Sequence, residues 1–440
     1  MASKVTVFRS TDLGAPVLSG QAGALLPVLN ALLTINHCLT TNDDAGFTDR
    51  SAEARLDGGT AFAMLPTPAA ADRIYFGSPS QFGQLIFNLD TLGVGGTYVF
   101  EFWNGSTWTT FAPTDGTSGF TADGTVSWTI SALTGWATVA VNGVTQYWVR
   151  VRASADPSTT PTIFSVTIGG WLISFTGTNQ NAYKQGGGNG FYLNVNDNSV
   201  GAGAAKEARA LVFETMSAVG TGTGQTPTTG QLSTGITIRK STSADATARS
   251  WLALADDRTL YLFVATGDTA NVYLACAVGD FFSTLTGDGF RTVIIGRNAE
   301  NAGTSTNENL DRMNTALTAA VAGHYIVRAY TAVGASITAG KHGDYLKGNA
   351  QAFLLGNVPY PNNPDSGIYL SPIWVTDAAT ALLRGRLRGF WHFLHAIASL
   401  NDGDTFSGTG SLSGKTFLLI KQSANAGIYC LETSNTWETN

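Results

Sequence analysis

Residues 97–108 read Thr97-Tyr-Val-Phe-Glu-Phe-Trp-Asn-Gly-Ser-Thr-Trp108. Aromatic and β-branched side chains dominate this segment, and they favour the half-buried surface of a pleated strand. Asn104-Gly105 lies between two aromatic runs, and this dipeptide is one that a two-residue type I′ turn prefers. The segment therefore predicts an antiparallel hairpin with a well-fixed register.

Runs of the same kind continue on both sides of this hairpin, from about Thr40 to Gly170. Each run is short, alternates apolar with polar residues and is bounded by turn residues, a pattern typical of antiparallel strands. At least six such strands in one span predict an Ig-like β-sandwich. The further runs are 73–77, 84–88, 125–130, 146–152 and 162–168.

The N-terminal segment has a different pattern, in which a strand leads into a helix. Lys4 to Arg9 alternates polar and apolar residues, whereas Gln21 to Leu33 carries leucines at helical spacing. Ser19 and Gly20 are candidates to cap this helix. Pro27 predicts that the helix bends or begins near that position.

From Trp171 onward the chain again reads mostly as strands, and its one predicted helix covers Asn307–Ala322. We therefore predict a mainly β fold: a β-rich body with one or two short helices plus an inserted Ig-like β-sandwich. The predicted domains are an N-terminal strand–helix arm of the body at 1–40, the sandwich at 41–169 and the main body at 170–440. The clearest predicted body strands are 210–214, 259–264, 291–296, 324–330, 367–371 and 415–421.

The composition is that of a weakly charged, turn-rich β protein. Hydrophobic residues make up 43% of the chain, charged residues only 13%, and there are 51 glycines. A surface with so few charges protects a free monomer poorly against association, so we expect a homo-oligomer or a larger assembly. The alternative is an ordinary or secreted β protein with a threonine-rich surface.

The charge balance argues against a nucleic-acid-binding protein, since the formal net charge is −6. One basic cluster is present, Arg384-Gly-Arg386-Leu-Arg388. It is a candidate contact for an acidic partner or for packaged DNA. Because residues two apart on a strand share a face, the alternative is a solvated or salt-bridged surface.

The cysteines and the N-terminal residues indicate the compartment in which the protein is made. Cys38, Cys276 and Cys430 are odd in number and far apart, so buried free thiols are expected in place of disulfides. The N-terminal segment has no apolar signal region, and no later run reaches the roughly 18 apolar residues of a membrane span. We expect synthesis and assembly in a reducing cytoplasm.

Two histidines form the best candidate for a metal site. His392 and His395 are three apart, a spacing that places both imidazoles on one face of a helix, and His342, Asp402 and Asp404 are further candidate ligands. The flanking residues are aromatic and apolar, so the alternative is a pair of hydrogen-bonded core or interface histidines. No metal or other cofactor is predicted.

Paired carboxylates allow a glycan-cleaving enzyme as an alternative function. Asp256 and Asp257, together with Asp280 or Asp288, would supply the acid and base of glycoside hydrolysis. Asp256-Asp257-Arg258 before a strand also reads as an ordinary turn. The sequence contains no nucleophile elbow, P-loop, HExxH or dinucleotide fingerprint, so no catalytic residues are predicted.

Tryptophans of the sandwich are candidates for contact with a glycan or a partner, since an indole presents a large apolar face with a polar handle. Trp136 follows Gly135 in a predicted loop and would be free to bind, and Trp108 closes the hairpin. The alternative is core packing, because strand alternation sends half of such side chains inward.

Motifs along most of the chain resemble those of tailed-phage virion proteins. Segments 98–108, 115–120 and 143–152 resemble a sandwich module found in phage structural proteins. The remainder resembles a family described only as structural and often grouped with tail genes. Its motifs are Leu13-Gly-Ala-Pro-Val-Leu-Ser-Gly20, Phe175-Thr-Gly-Thr-Asn-Gln-Asn-Ala-Tyr-Lys-Gln185, Asn189-Gly-Phe-Tyr-Leu193, Asp245-Ala-Thr-Ala-Arg-Ser-Trp251, Lys341-His-Gly-Asp344 and Leu431-Glu-Thr-Ser-Asn-Thr-Trp-Glu438.

The resemblance implies a component of the virion that brings no catalytic residues. Together with the composition it predicts a structural subunit of the tail tip or baseplate that assembles with other phage structural proteins, and the tryptophans named above extend this to attachment to a host-surface glycan. Capsid decoration is the alternative within the structural class. Proteins of this family pass from the N-terminal helix almost directly to the Phe175 motif, so the sandwich is interpreted as an insertion. Whole domains insert where the two ends of a loop lie close together, which predicts that Thr40 and Gly170 are neighbours.

Overall fold

A computed structural model describes residues 5–42, 44, 46–67, 72–201, 206–228, 234–267, 272–297, 322–328, 330, 337–343, 370–377, 382–393, 400–421, 428–434 and 436–439. The described chain is mainly β, as the sequence predicts. It divides into a sandwich unit, Ser3–Pro16 with Pro27–Ser174, and a body unit, Val17–Leu26 with Phe175–Asn440. Of the arm predicted at 1–40, the described residues 5–16 and 27–40 thus belong to the sandwich unit in this division, and the insertion itself stays a prediction.

The described part of the sandwich unit consists of strands of 2 to 16 residues and two α-helices, α1 (Leu25–Leu33), whose first two residues belong to the body unit, and α2 (Ser51–Arg55). Its strands are β1 (Thr6–Arg9), β2 (His37–Asn42), β3 (Gly46–Asp49), β4 (Phe62–Ala63), β5 (Arg73–Ser78), β6 (Gln84–Thr91), β7 (Val94–Trp103), β8 (Trp108–Phe111), β9 (Thr114–Asp115), β10 (Gly124–Ser127), β11 (Thr138–Val141), β12 (Val144–Thr159) and β13 (Thr162–Thr167). A short 3-10 helix covers Ile130–Ala132. All six strands predicted for the sandwich are present.

Two antiparallel sheets make up this unit. A seven-stranded sheet has the order β3-β2-β5-β12-β7-β8, with β11 pairing β12, and a five-stranded sheet has the order β4-β13-β6-β10-β9. The core contains Phe76, Phe102 and Val151 from the first sheet, and Phe87 and Ile163 from the second. Burial of each such side chain contributes about 1.5–3 kcal/mol, so the two-sheet packing is the main stabilising element.

The hairpin of residues 97–108 forms, but the predicted type I′ turn is wrong. β7 and β8 pair Trp103 with Trp108, and Asn104 N donates to Thr107 O at 3.0 Å, so the loop has four residues. Of these only Gly105 has a positive φ, +96°, whereas a type I′ turn needs two such residues. Asn104 Oδ1 accepts from Thr107 N at 2.9 Å, so the side chain shapes the turn.

The segments that enter and leave the sandwich lie against each other. Helix α1 ends at Leu33, and a Cβ placed on Gly169 would lie 2.6 Å from Leu32 O and 3.0 Å from Leu33 Cα. Only a glycine permits such a close approach of two backbones. The two ends of the sandwich segment are therefore close in space within this unit.

Helix α1 begins at Leu25, two residues before Pro27, and is shorter than the predicted 21–33. Its first amide, Leu25 N, donates to Asp197 Oδ2 at 2.7 Å. The prediction that Ser19 or Gly20 caps the helix is wrong, because Ser19 Oγ accepts a hydrogen bond within its own turn instead. A carboxylate at this position also complements the positive end of the helix dipole.

The body unit is built of antiparallel strands, and the boundary between the units falls within β14 (Trp171–Gly177). A second short 3-10 helix covers Gly410–Leu412. The further strands are β15 (Gln180–Gln185), β16 (Tyr192–Val200), β17 (Lys206–Phe213), β18 (Thr215–Ala218), β19 (Thr221–Thr223), β20 (Ile236–Ser241), β21 (Trp251–Ala255), β22 (Thr259–Val264), β23 (Tyr273–Asp280), β24 (Phe282–Ser283), β25 (Thr292–Arg297), β26 (Ala322–Ile326), β27 (Ile337–Gly343), β28 (Leu370–Asp377), β29 (Leu382–Phe393), β30 (Thr405–Ser407), β31 (Thr416–Lys421) and β32 (Ile428–Glu432).

The pairings of these strands form long antiparallel series. One series is β15-β16-β17-β20, and another runs β21-β22-β23-β25-β26-β27-β28-β29-β32-β31-β30. The strands predicted near 210, 259, 291 and 415 are β17, β22, β25 and β31, and those near 324 and 367 are described in part as β26 and β28. The helix predicted over Asn307–Ala322 lies outside the described residues, apart from Ala322, which begins β26.

Candidate functional site

The basic cluster of the sequence lies on β29, and its first member is buried. Arg384 is fully buried and holds Asp288 through two hydrogen bonds, from Nε at 2.9 Å and from Nη2 at 2.7 Å. Nη1 also donates to Arg328 O at 3.1 Å. The guanidinium is thus engaged on both sides by groups of the chain itself.

The third member, Arg388, repeats this arrangement. Nη1 and Nη2 donate to Asp256 Oδ1 and Oδ2 at 2.9 and 2.5 Å, and both side chains are at most 1% exposed. Nη1 also donates to Thr259 Oγ1 at 2.8 Å. Asp256 in addition accepts from the backbone amides of Arg258 and Thr259, so every part of this buried pair has a partner.

Arg386, between these two, is only partly exposed. Its Nε donates to Glu438 Oε2 at 2.8 Å, and the two side chains are 25% and 26% exposed. The prediction of a basic patch for an acidic partner is therefore wrong for Arg384 and Arg388. Their guanidinium groups bind carboxylates of the same chain, which corresponds to the salt-bridged alternative in a buried form.

Asp280, another candidate acid, lies in a polar cluster at the end of β23. Its Oδ1 accepts from Thr292 Oγ1 at 2.8 Å and from Gln185 Nε2 at 3.4 Å. Its Oδ2 is buried, has no hydrogen-bond partner among the described residues and lies 3.7 Å from Arg291 Nε. Burial raises the pKa of Asp280, and Thr292 and Arg291 oppose that rise.

The Gly186-Gly-Gly188 loop covers these carboxylates. A Cβ on Gly187 would lie 2.1 Å from Asp257 Oδ2, and one on Gly188, where φ is +62°, would lie 2.1 Å from Asp280 Oδ2. A side chain at either position would have to displace one of these carboxylates. The candidate acids are thus enclosed by the protein's own backbone and cations, an arrangement that favours a structural role.

The substitution Asp280→Asn is expected to remove part of the pH dependence of stability. Because burial raises the folded-state pKa, the contribution of Asp280 is fully present below its unfolded pKa of about 3.9 and is lost as the pH rises through the folded pKa. The free energy of unfolding of the wild type relative to Asp280→Asn should therefore fall as the pH rises above the unfolded pKa of about 3.9. Urea unfolding curves at a series of pH values above that pKa measure it, and a constant or rising difference would contradict the expectation.

Trp136, the first candidate for glycan contact, is in the core of the sandwich unit. Only 5% of its surface is exposed, and its Nε1 donates to Trp148 O at 3.2 Å. Its ring centroid lies 5.3 Å from that of Phe82 and 5.8 Å from that of Tyr147, both edge-to-face. The expectation that Trp136 is free to bind is therefore wrong, and the core-packing alternative describes it.

Trp108, the second candidate, is half-buried on the outer face of the seven-stranded sheet. The Arg150 guanidinium lies over its ring, 4.2 Å from the centroid. Arg150 Nε also donates to Glu101 Oε2 at 2.7 Å, and its Nη1 donates to the Tyr75 hydroxyl at 3.1 Å. Cross-strand register places Tyr75, Arg150 and Glu101 in one row, a cluster that the sequence analysis missed because register is not visible in a single strand.

Only His392 of the candidate histidine pair lies in the described part of the chain, and it is not in a helix. His392 lies in strand β29, opposite Ser371 and Tyr429, and His395 lies outside the described residues. The helix assumed for this segment is therefore wrong at His392, so the argument that both imidazoles share one helix face does not apply. Across the described ranges no group of three or more histidine, cysteine or acidic side chains is arranged to hold a metal ion.

Comparisons of the sequence with models of known protein families and with curated proteins give no match. Within the described part of the chain, no helix has the length and apolar character needed to cross a membrane. Function is therefore inferred from the residues of this chain alone.

Proposed function

We propose that this chain is a non-enzymatic structural subunit of a tailed-phage particle, at the tail tip or baseplate, with roles in assembly and host-surface attachment. The phage assignment rests on the motifs quoted above, from Leu13 to Glu438. The observation that carries the non-enzymatic part is that two candidate acids, Asp256 and Asp288, are each held by a buried arginine through two hydrogen bonds. A carboxylate that is buried and bound in this way by an arginine of the same chain is not open to a substrate.

The assembly role draws on the surface of the sandwich unit. Leu92 and Val94 flank Gly93 at the turn between β6 and β7 and are 47% and 55% exposed. Apolar side chains paired at one tip, on a chain of low charge, suit contact with a neighbouring subunit. Partners of the proposed assembly are copies of this chain and other virion proteins.

The location is tested by cryo-electron microscopy of the intact particle, with density for this chain sought in capsid, neck and tail. Density at the tail end is the expected result. Density spread over the capsid would replace the tail role with capsid decoration. Absence of the chain from purified particles would overturn the virion assignment.

Incubation of the purified chain with host polysaccharide is expected to release no sugar. The candidate acids are enclosed or ion-paired, so they lack the open acid–base pair that hydrolysis requires. Reducing ends are measured over time, with a known polysaccharide depolymerase as the positive control. If the wild type releases sugar and the Asp280→Asn variant does not, the glycan-cleaving alternative is established.

A further inference from the structure

Four strands of the body unit carry one row of polar side chains. Register aligns Gln180 of β15 with Asn196 of β16, Asn196 with Arg209 of β17, and Arg209 with Thr237 of β20. Directly opposite residues point to the same face of a sheet, so the four side chains form a row across the strands. Arg209 Nη1 donates to Thr237 Oγ1 at 2.8 Å, which ties the end of the row together.

A cavity of about 320 Å³ lies over part of this row. That volume is at the lower end of the roughly 300–1,000 Å³ typical of ligand pockets and suits a small ligand. The lining combines carboxamide and guanidinium groups with two apolar side chains. Its residues are Gln180, Asn194, Asn196, Val200, Arg209, Leu211, Gly220 and Thr234.

Part of the lining is already held in position. Asn194 Oδ1 accepts from Gly220 N at 3.0 Å and from Gln180 Nε2 at 3.2 Å. These bonds fix the orientation of both carboxamides, so their remaining atoms, Asn194 Nδ2 and Gln180 Oε1, have defined directions. A ligand would not have to order these two side chains on binding, which lowers the entropic cost of association.

Asn196 contributes an acceptor that the described protein leaves unused. Its Oδ1 is buried and has no hydrogen-bond partner among the described residues. A buried polar atom without a partner is costly, and native structures rarely keep one without a reason. Because this atom is closed to solvent, a ligand hydroxyl in the cavity reaches it when the Asn196 carboxamide turns towards the cavity.

We propose that this cavity binds a neutral sugar residue. Carboxamides both donate and accept, as sugar hydroxyls do, and Leu211 and Val200 supply apolar surface for the C–H face of a pyranose ring. An added peptide strand is disfavoured, because β16 and β17 are paired on both sides and offer no free edge. The site would serve the attachment role proposed above, but binding is a property of the purified chain and stands or falls independently of its place on a particle.

The test is saturation-transfer NMR of the full chain with methyl glycosides of glucose, galactose, mannose and N-acetylglucosamine as probes. We expect transfer to at least one glycoside and an affinity that falls about tenfold in Asn196→Leu, the loss expected for one well-placed hydrogen bond. Gln180→Leu provides a second variant, and thermal melting confirms that each is folded. Asn198→Ala, an exposed asparagine on the same strand outside the lining, is the matched control and should bind as the wild type does.

Transfer to none of the four glycosides would overturn the proposal, as would equal binding by the wild type and both folded variants. Displacement of the bound glycoside by tetra-alanine, with tighter binding of that peptide, would replace the sugar with a peptide ligand. Failure of sugar binding would leave the virion assignment untouched, because that assignment is tested by particle density.

Discussion

The substitution Arg388→Ala is expected to lower the free energy of unfolding of the body unit by about 3–5 kcal/mol, the usual cost of removing one partner from a buried ion pair. Asp256 would remain fully buried and would lose the guanidinium that binds both of its carboxylate oxygens, while it keeps the hydrogen bonds from the backbone amides of Arg258 and Thr259. Urea unfolding followed by circular dichroism and tryptophan fluorescence measures the loss.

The neighbouring pair provides the matched control on the same strand. Arg386 and Glu438 are each about one quarter exposed, so Arg386→Ala should cost only about 0–1 kcal/mol. The double variant Arg388→Met with Asp256→Leu removes both charges and should recover much of the stability. Equal small losses for Arg386→Ala and Arg388→Ala would show that burial does not strengthen the pair.

The strands of this chain were predictable because their signals are local. Alternation in segments such as 146–152 and turn residues such as Asn104-Gly105 act within a few positions, so the β class and the two-sheet sandwich follow from short stretches. The type of turn was not predictable from the dipeptide alone, because the Asn104 side chain competes with the backbone for the amide of Thr107.

The candidate sites were less predictable because they depend on contacts between distant parts of the chain. Alternation places Arg384 and Arg388 on one face of a strand, but their partners Asp288 and Asp256 lie 96 and 132 residues away. The row of Gln180, Asn196 and Arg209 likewise exists only through the register of three strands. Register is set by packing of the whole sheet, which no single segment encodes.

The substitution Trp136→Ala is expected to destabilise the sandwich unit by about 3–5 kcal/mol, the range for truncating a buried tryptophan. The indole fills the core beside Phe82 and Phe102 and donates to Trp148 O, so its removal leaves a cavity and takes one hydrogen bond from that carbonyl. Chemical unfolding followed by tryptophan fluorescence and circular dichroism measures the loss.

Two other variants separate core packing from a surface role. Trp136→Phe keeps most of the ring but not the Nε1 donor, so it should lose less than Trp136→Ala. Trp108→Ala removes a half-buried ring that stacks on Arg150, a contact worth about 0.5–2 kcal/mol, and should cost less than Trp136→Ala. A cost below about 1 kcal/mol for Trp136→Ala would contradict its place in the core and restore it as a contact residue. The reason is that truncating an exposed tryptophan leaves no cavity in the core. Truncating a buried tryptophan does leave a cavity, and the core side chains around it lose their packing contacts.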